Sequence, residues 1–287
     1  MSQASAAAPH AFVPYVVKTH NASTQSENRM HSDDIARSFG FRGGLVPGVA
    51  VFAHMTHPMV ERFGLDWLAQ GEAEVSFAKP AYEGEFLTIG ASAPGDGAGT
   101  IDVVCANAAG ESLARMTARV AARPAPADAR SDIAPAERTN RTVTVVPSLA
   151  DRPVVTWDLM EIGKPFPALA WQPTQADNLE WCRDVRDELP IYREGDSPAL
   201  HPGFALRQAN HVLRGRFVLP AWIHVASRLR FLEPLRVGQA YEVRAIPEEK
   251  WEKKGHEFVR LYVAIRNGDR TVAEVLHTAI FRPRKVA

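Results

Sequence analysis

The chain has 287 residues, 46% hydrophobic and 23% charged, with 33 Lys+Arg against 33 Asp+Glu and a formal net charge of zero. These proportions exclude a disordered chain, and the cancelled charge excludes the basic surface that supplies most of the strength of nucleic-acid binding. Two cysteines, Cys105 and Cys182, carry no CxxC or Cys/His spacing, which excludes a disulfide framework and leaves both as reduced structural residues.

From the N-terminus, Met1 to Pro14 is rich in Ala and Ser and lacks the basic start and apolar core of a signal segment. No later stretch reaches the roughly 18 apolar residues of a membrane span, so a cytoplasmic protein without a membrane partner is expected. Ser32-Asp33-Asp34 carries the N-cap and acidic first turn of a helix, which makes Asp33 and Asp34 capping residues. Pro47-Gly48 opens a helix whose apolar residues Val49, Phe52, Met59, Val60 and Phe63 cover much of its circumference, predicting burial. His54 and His57 lie three apart on it, where one or both could face a cavity; a metal site would need a third ligand, and none is expected. Strands follow at Ala73 to Phe77, Phe86 to Ile89, Ile101 to Val104 and Leu113 to Val120.

The stretch AARPAPADARSDIAPAERT, Ala121 to Thr139, reads as a solvated linker. It divides the chain into a first domain over 1–120, a linker over 121–150 and a second domain over 151–287. Beyond it, Tyr192, His201, Arg207 and His211 gather around the turn Pro202-Gly203. The helix that this turn opens has apolar Phe204, Ala209, Val212, Leu213 and Phe217 and a polar stripe of Arg207, Asn210, His211 and Arg214. Strands are expected at Trp222 to Phe231, Tyr241 to Ala245, Glu257 to Ile265 and Val272 to Phe281. Glu252 to His256 forms a charged hairpin connection.

The two halves repeat each other. Pro47, Gly48 and Trp67 fall on Pro202, Gly203 and Trp222 at an offset of 155 (202−47, 203−48, 222−67). Phe77, Pro80 and Gly84 fall on Phe231, Pro234 and Gly238 at 154 (231−77, 234−80, 238−84). One long helix followed by four antiparallel strands, twice over, predicts an α+β fold of two curved sheets, each wrapped around a central helix.

The residues Asn28-Arg29-Met30-His31-Ser32-Asp33-Asp34-Ile35-Ala36, then Phe39 to Gly48, resemble the active-site loop of the MaoC-like acyl dehydratases and (R)-specific enoyl-CoA hydratases. The resemblance implies a double hot-dog, the two halves pairing as the subunits of a hot-dog dimer do, with a further homodimer left open. It implies a hydratase or dehydratase type of lyase, with an acyl thioester of coenzyme A as small-molecule partner. His31 would act at the water, Asn28 would orient the loop or bind that water, and the N–H of Gly48, behind Pro47, would act at the thioester oxygen. Two departures stand out. The family's catalytic aspartate is replaced by Ser26, with Glu27 beside it as the neighbouring carboxylate, and the histidine before the helix glycine is replaced by Pro47. In the second half His201 stands one place further from Gly203.

Such chemistry needs a base for the water and donors for the oxyanion, and a helix N-terminus supplies the donors. Gly48 and Gly203 are both candidates for the oxyanion role, each equally readable as a Pro-Gly helix start. His201, His54, Tyr192, Arg207 and His211 are candidates for lining the substrate tunnel. No cofactor is expected, since there is no Gly-rich phosphate loop, GxSxG elbow or HExxH motif. A noncatalytic acyl-thioester or small-ligand binding protein and an acyl-CoA thioesterase are the alternatives, because one fold supports several chemistries.

Overall fold

The computed structural model describes residues 11–92, 99–120 and 139–284. In the first half β1 (Tyr15–Lys18) precedes α1 (Asp33–Ser38), α2 (Gly48–Phe63) and α3 (Leu65–Gln70), then β2 (Gly71–Phe77), β3 (Phe86–Ser92), β4 (Thr100–Asn107) and β5 (Ser112–Val120). In the second, β6 (Leu169–Trp171), α4 (Gln175–Asp184) and α5 (Gly203–Arg216) precede β7 (Ile223–Phe231), β8 (Tyr241–Lys253), β9 (His256–Asn267) and β10 (Arg270–Arg282). The eight expected strands and both Pro-Gly helices are present, seven of the strands being longer than the apolar alternation indicated and β7 one residue shorter. Residues 121–138 of the expected linker lie outside the described residues. Thr139 onward is irregular as far as a short turn of 3-10 helix at Leu149–Asp151.

The expectation of two sheets is corrected. Among the described residues the strands form one ten-stranded antiparallel sheet in the order β1-β3-β4-β5-β2-β7-β10-β9-β8-β6. The halves join because β2 and β7, each left with an open edge, satisfy each other's backbone groups. Glu72 pairs with Arg230, Glu74 with Arg228 and Ser76 with Ala226. Glu74 thus lies opposite its own counterpart in the repeat (228−74 = 154), which places a pseudo-twofold axis through the middle of this seam. A row of charges crosses it: Arg119 to Glu72 at 2.7 Å, Glu72 to Arg230 at 3.0 Å, Arg230 to Glu274 at 3.8 Å, and Glu274 to the Tyr262 hydroxyl at 2.7 Å.

The repeat landmarks have structural reasons. Gly84 and Gly238 both adopt the left-handed backbone, at φ +74° and +80°, in turns that L side chains resist. Trp67 is fully buried and packs edge-on against Phe231 of the other half, 5.3 Å between ring centroids. The helix α2 packs on β1, β3, β4, β5 and β7, α5 packs on β8, β9 and β10, and the two helices touch each other. Consequently Phe52, Met55, Phe204 and Leu213 belong to one hydrophobic core shared by both halves. Both cysteines are free and buried. Among the described residues no helix is long and apolar enough to cross a membrane.

Candidate active site

Two cavities meet at the loop before α2. The larger, about 600 Å³, is bordered by polar and aromatic side chains, among them Ser26, Trp181, Arg207, His211 and Arg214. The smaller, about 320 Å³, is apolar, with Met30, Phe41, Phe77, Phe258 and Ile280 in its wall. Asn28, His31, Pro47, Asn210 and Trp222 border both.

His31 ends a turn of 3-10 helix, Arg29–His31, capped by the Asn28 side chain. Its Nδ1 lies 2.7 Å from the Leu45 carbonyl, which can only accept, so Nδ1 carries the proton and Nε2 keeps a lone pair. Asn28 Nδ2 donates to that Nε2 at 3.1 Å. Burial lowers the His31 pKa, and the Leu45 carbonyl offsets this only in part, so the ring is neutral at pH 7. Asn28 is itself buried and clamps the halves together, accepting from the Trp222 N–H at 3.1 Å and donating to the Trp222 carbonyl at 3.1 Å. The acidic residues that follow act structurally. Asp33 accepts from the Gly44 N–H at 2.8 Å, whereas Ser32 donates to the Arg29 carbonyl instead of capping α1.

Gly48 begins α2 and borders the apolar cavity. Helix geometry gives its N–H no internal partner, and it has no acceptor among the described residues. The site therefore combines a neutral imidazole whose Nε2 lone pair accepts from Asn28, an open helix N-terminus, a polar chamber and an apolar one.

No protein-family model and no curated protein matches the chain. Solved structures do. A candidate MaoC domain protein dehydratase from Chloroflexus aurantiacus is similar at TM-score 0.62 and 14% identity, over 96% of both chains. A conserved hypothetical protein from Mycobacterium tuberculosis with a double hot-dog fold is similar at 0.55 and 12%, over 95% of this chain and 96% of that one. The fold is a double hot-dog. A candidate oleoyl thioesterase from Lactobacillus plantarum is also similar, at 0.50 and 12%, over 94% of this chain and 96% of that one.

The second hot-dog unit has closed its corresponding helix start. Gly203 N–H donates to His201 Nδ1 at 3.0 Å, Trp181 Nε1 donates to the same atom at 3.2 Å, and a side chain at Gly203 would meet the Trp181 ring at 2.9 Å. With Nδ1 accepting, His201 Nε2 carries the proton and donates to Asp187 at 3.2 Å. Burial alone would raise the Asp187 pKa, but this hydrogen bond and the neighbouring His57 hold the carboxyl far below its usual range. His57 Nδ1 stands 3.1 Å from Asp187, outside hydrogen-bond geometry.

Several expected site residues are accordingly corrected. His201 and Gly203 are sealed beneath Trp181 and border neither cavity. Tyr192 is fully buried beside His201, 4.8 Å between rings, also away from both. His54 lies on the face of α2 turned toward the Asp187 cluster, where burial and then His201 lower its pKa to about 4. Glu27 cannot serve as a base, because both its oxygens are held by the buried Arg152 guanidinium at 3.0 Å. Ser26 borders the polar cavity and donates to the Asn28 carbonyl at 3.2 Å.

Arg207 and His211 do border the polar cavity, as does Arg214. The Arg207 guanidinium lies over Trp181, 5.2 Å from the ring centre, and burial followed by Arg214 lowers its pKa. Burial, Arg214 and Arg207 likewise lower that of His211. Sequence reasoning missed Arg152, Trp181, Asp187 and His224. His224 alone had a positional signal, two residues after the landmark Trp222.

Proposed function

We propose that the chain is a hydratase or dehydratase type of lyase acting on an enoyl or 3-hydroxyacyl thioester, with coenzyme A as the carrier. The observation that carries this reading is the position of His31: a neutral imidazole with an unprotonated Nε2 that accepts from Asn28, at the junction of a polar and an apolar cavity, near an open helix start. The acyl group would occupy the apolar cavity and the carrier the polar one, with its phosphates toward Arg207, His211 and Arg214.

In hydration, Nε2 of His31 would take a proton from water as the oxygen bonds to the β-carbon. The double-bond electrons move onto the thioester oxygen, stabilised at the Gly48 N–H by the positive end of α2. The imidazolium then returns its proton to the α-carbon, so His31 serves as base and acid in turn. Dehydration is the reverse. Asn28 would orient the ring and the water. With Glu27 occupied and Ser26 unable to accept a proton at neutral pH, no carboxylate of the loop shares this work.

That same lack of a carboxylate favours a second reading, a noncatalytic acyl-thioester binder, and the structural likeness to a candidate thioesterase raises a third. Loss of the enoyl-thioester absorbance with crotonyl-, longer-chain and aromatic enoyl-CoA separates them. Hydration by purified protein, abolished in His31→Ala, supports the lyase. Binding without turnover supports the binder, and release of free thiol from acyl-CoA supports the thioesterase.

A further inference from the structure

From the wall of the apolar cavity a chain of three polar side chains, which the mechanism above leaves unused, runs into the sheet. His224 of β7 borders this cavity. Its Nε2 lies 2.8 Å from Ser227 Oγ, which lies 3.0 Å from Nδ1 of His277 on β10. Ser227 and His277 are buried in the sheet, and burial holds both histidines neutral. A hydroxyl has one proton, so Ser227 donates to one imidazole and accepts from the other. Each neutral ring has one N–H, which leaves one N–H at a free end of the chain: His277 Nε2 or His224 Nδ1. Both atoms are buried and without a partner. An unmet buried donor costs about 1–3 kcal/mol.

The two ends differ in what adjoins them. His224 Nδ1 presses on the start of α2 so closely that a side chain at Gly48 would meet it at 2.9 Å. The Gly48 N–H there also lacks an acceptor among the described residues. In the second unit the equivalent N–H, of Gly203, is satisfied by His201; in the first, Pro47 supplies no such acceptor. His224 Nδ1 and the Gly48 N–H thus both lie at the start of α2 without a hydrogen-bond partner among the described residues.

We propose that the substrate's thioester carbonyl oxygen is held jointly by Gly48 N–H and His224 Nδ1–H. His224 of the second hot-dog unit is then a catalytic residue of a site whose base comes from the first. Ser227 and His277 are positioning residues: with His277 Nδ1–H donating to Ser227 and Ser227 donating to His224 Nε2, the remaining proton is held at His224 Nδ1. His224 keeps that proton throughout, stabilising the oxyanion by hydrogen bonding alone. This rests on the acyl-thioester reading.

The test uses the absorbance of cinnamoyl-CoA, a conjugated thioester whose band moves to longer wavelength when donors polarise its carbonyl. Wild type is expected to bind it with a red shift. His224→Phe keeps the ring and removes the donor, so it should bind within about tenfold of wild type, lose most of the shift, and lose roughly 10²–10³ in kcat with little change in KM. His224→Gln, which restores an N–H donor, should recover part of the shift, and Ser227→Ala should fall between the extremes. An unchanged band and kcat in folded His224→Phe would overturn the proposal while leaving the lyase reading intact. Should His224→Phe fail to fold, Ser227→Ala decides: a band identical to wild type overturns it. Failure of wild type to bind any conjugated thioester overturns both.

Discussion

Replacing Asn28 by Ala should unhook the loop that carries His31 from the second unit. Asn28 accepts the Trp222 N–H and donates to the Trp222 carbonyl, each at 3.1 Å, and accepts the Met30 N–H at 3.3 Å. Its side chain is buried, so water cannot readily replace these bonds. Leaving a buried donor or acceptor unsatisfied costs about 1–3 kcal/mol. The two Trp222 groups alone therefore set a destabilisation of about 2–6 kcal/mol, and the weaker Met30 bond adds little. For a chain of this size, at about 2–4 °C per kcal/mol, that corresponds to a Tm lower by roughly 4–24 °C. Calorimetry of the purified variant at pH 7 measures it. Asn28→Asp should be no rescue, because a carboxylate oxygen would face the Trp222 carbonyl. A shift below about 2 °C in Asn28→Ala, or full stability in Asn28→Asp, would show that the clamp does not hold the two units together.

Glu27→Gln should retain kcat within about tenfold of wild type, since Glu27 is engaged by Arg152, whereas His31→Gln should lose about 10²–10⁴, the usual span of general acid–base catalysis. The lowered His31 pKa places the acid limb of the kcat/KM profile below pH 6.5, with activity rising with pH through that limb and level near neutrality; a limb centred above pH 7 would contradict it. His54, His224 and His277 stay neutral when folded but titrate near 6.5 when unfolded, so the unfolded chain binds more protons and stability falls as pH drops from 6.5 toward about 4. Three such groups give a slope of up to about 4 kcal/mol per pH unit, and urea midpoints unchanged between pH 7 and 5 would refute it. Residues 1–150 expressed alone should aggregate, because Phe52 and Met55 lose the Phe204 and Leu213 side of the shared core; a monomeric, cooperatively melting fragment would show otherwise.

The repeat was legible because its landmarks answer to backbone demands. Gly84 and Gly238 need a left-handed conformation, and Pro-Gly starts both long helices. The single sheet was not legible: strand alternation reports which face is buried and says nothing of which edges meet. Near the candidate site, the His31 loop and the Gly48 helix start were legible in local motifs, because each lies within a few residues of the turn that positions it. Glu27, Tyr192 and His201 were misassigned because their fates depend on partners distant in sequence. Arg152 captures Glu27 from 125 positions away, and Asp187 joins His201 to His57 across the two units. Ordinary strand alternation concealed the chain of His224, Ser227 and His277, which exists only once β7 and β10 pair.

The β2–β7 seam also governs what the halves are able to dock with. Were two first units to pair about the same axis, Glu74 would face Glu74; two second units would set Arg228 against Arg228. Like charges directly opposite on paired strands are repulsive. Only the mixed pairing brings opposite charges together, so duplication has converted a self-complementary edge into one with a sender and a receiver. While a chain is being synthesised, the repulsion of Glu74 from Glu74 disfavours edge-to-edge pairing of its first half with the first halves of neighbouring chains relative to pairing with its own second half.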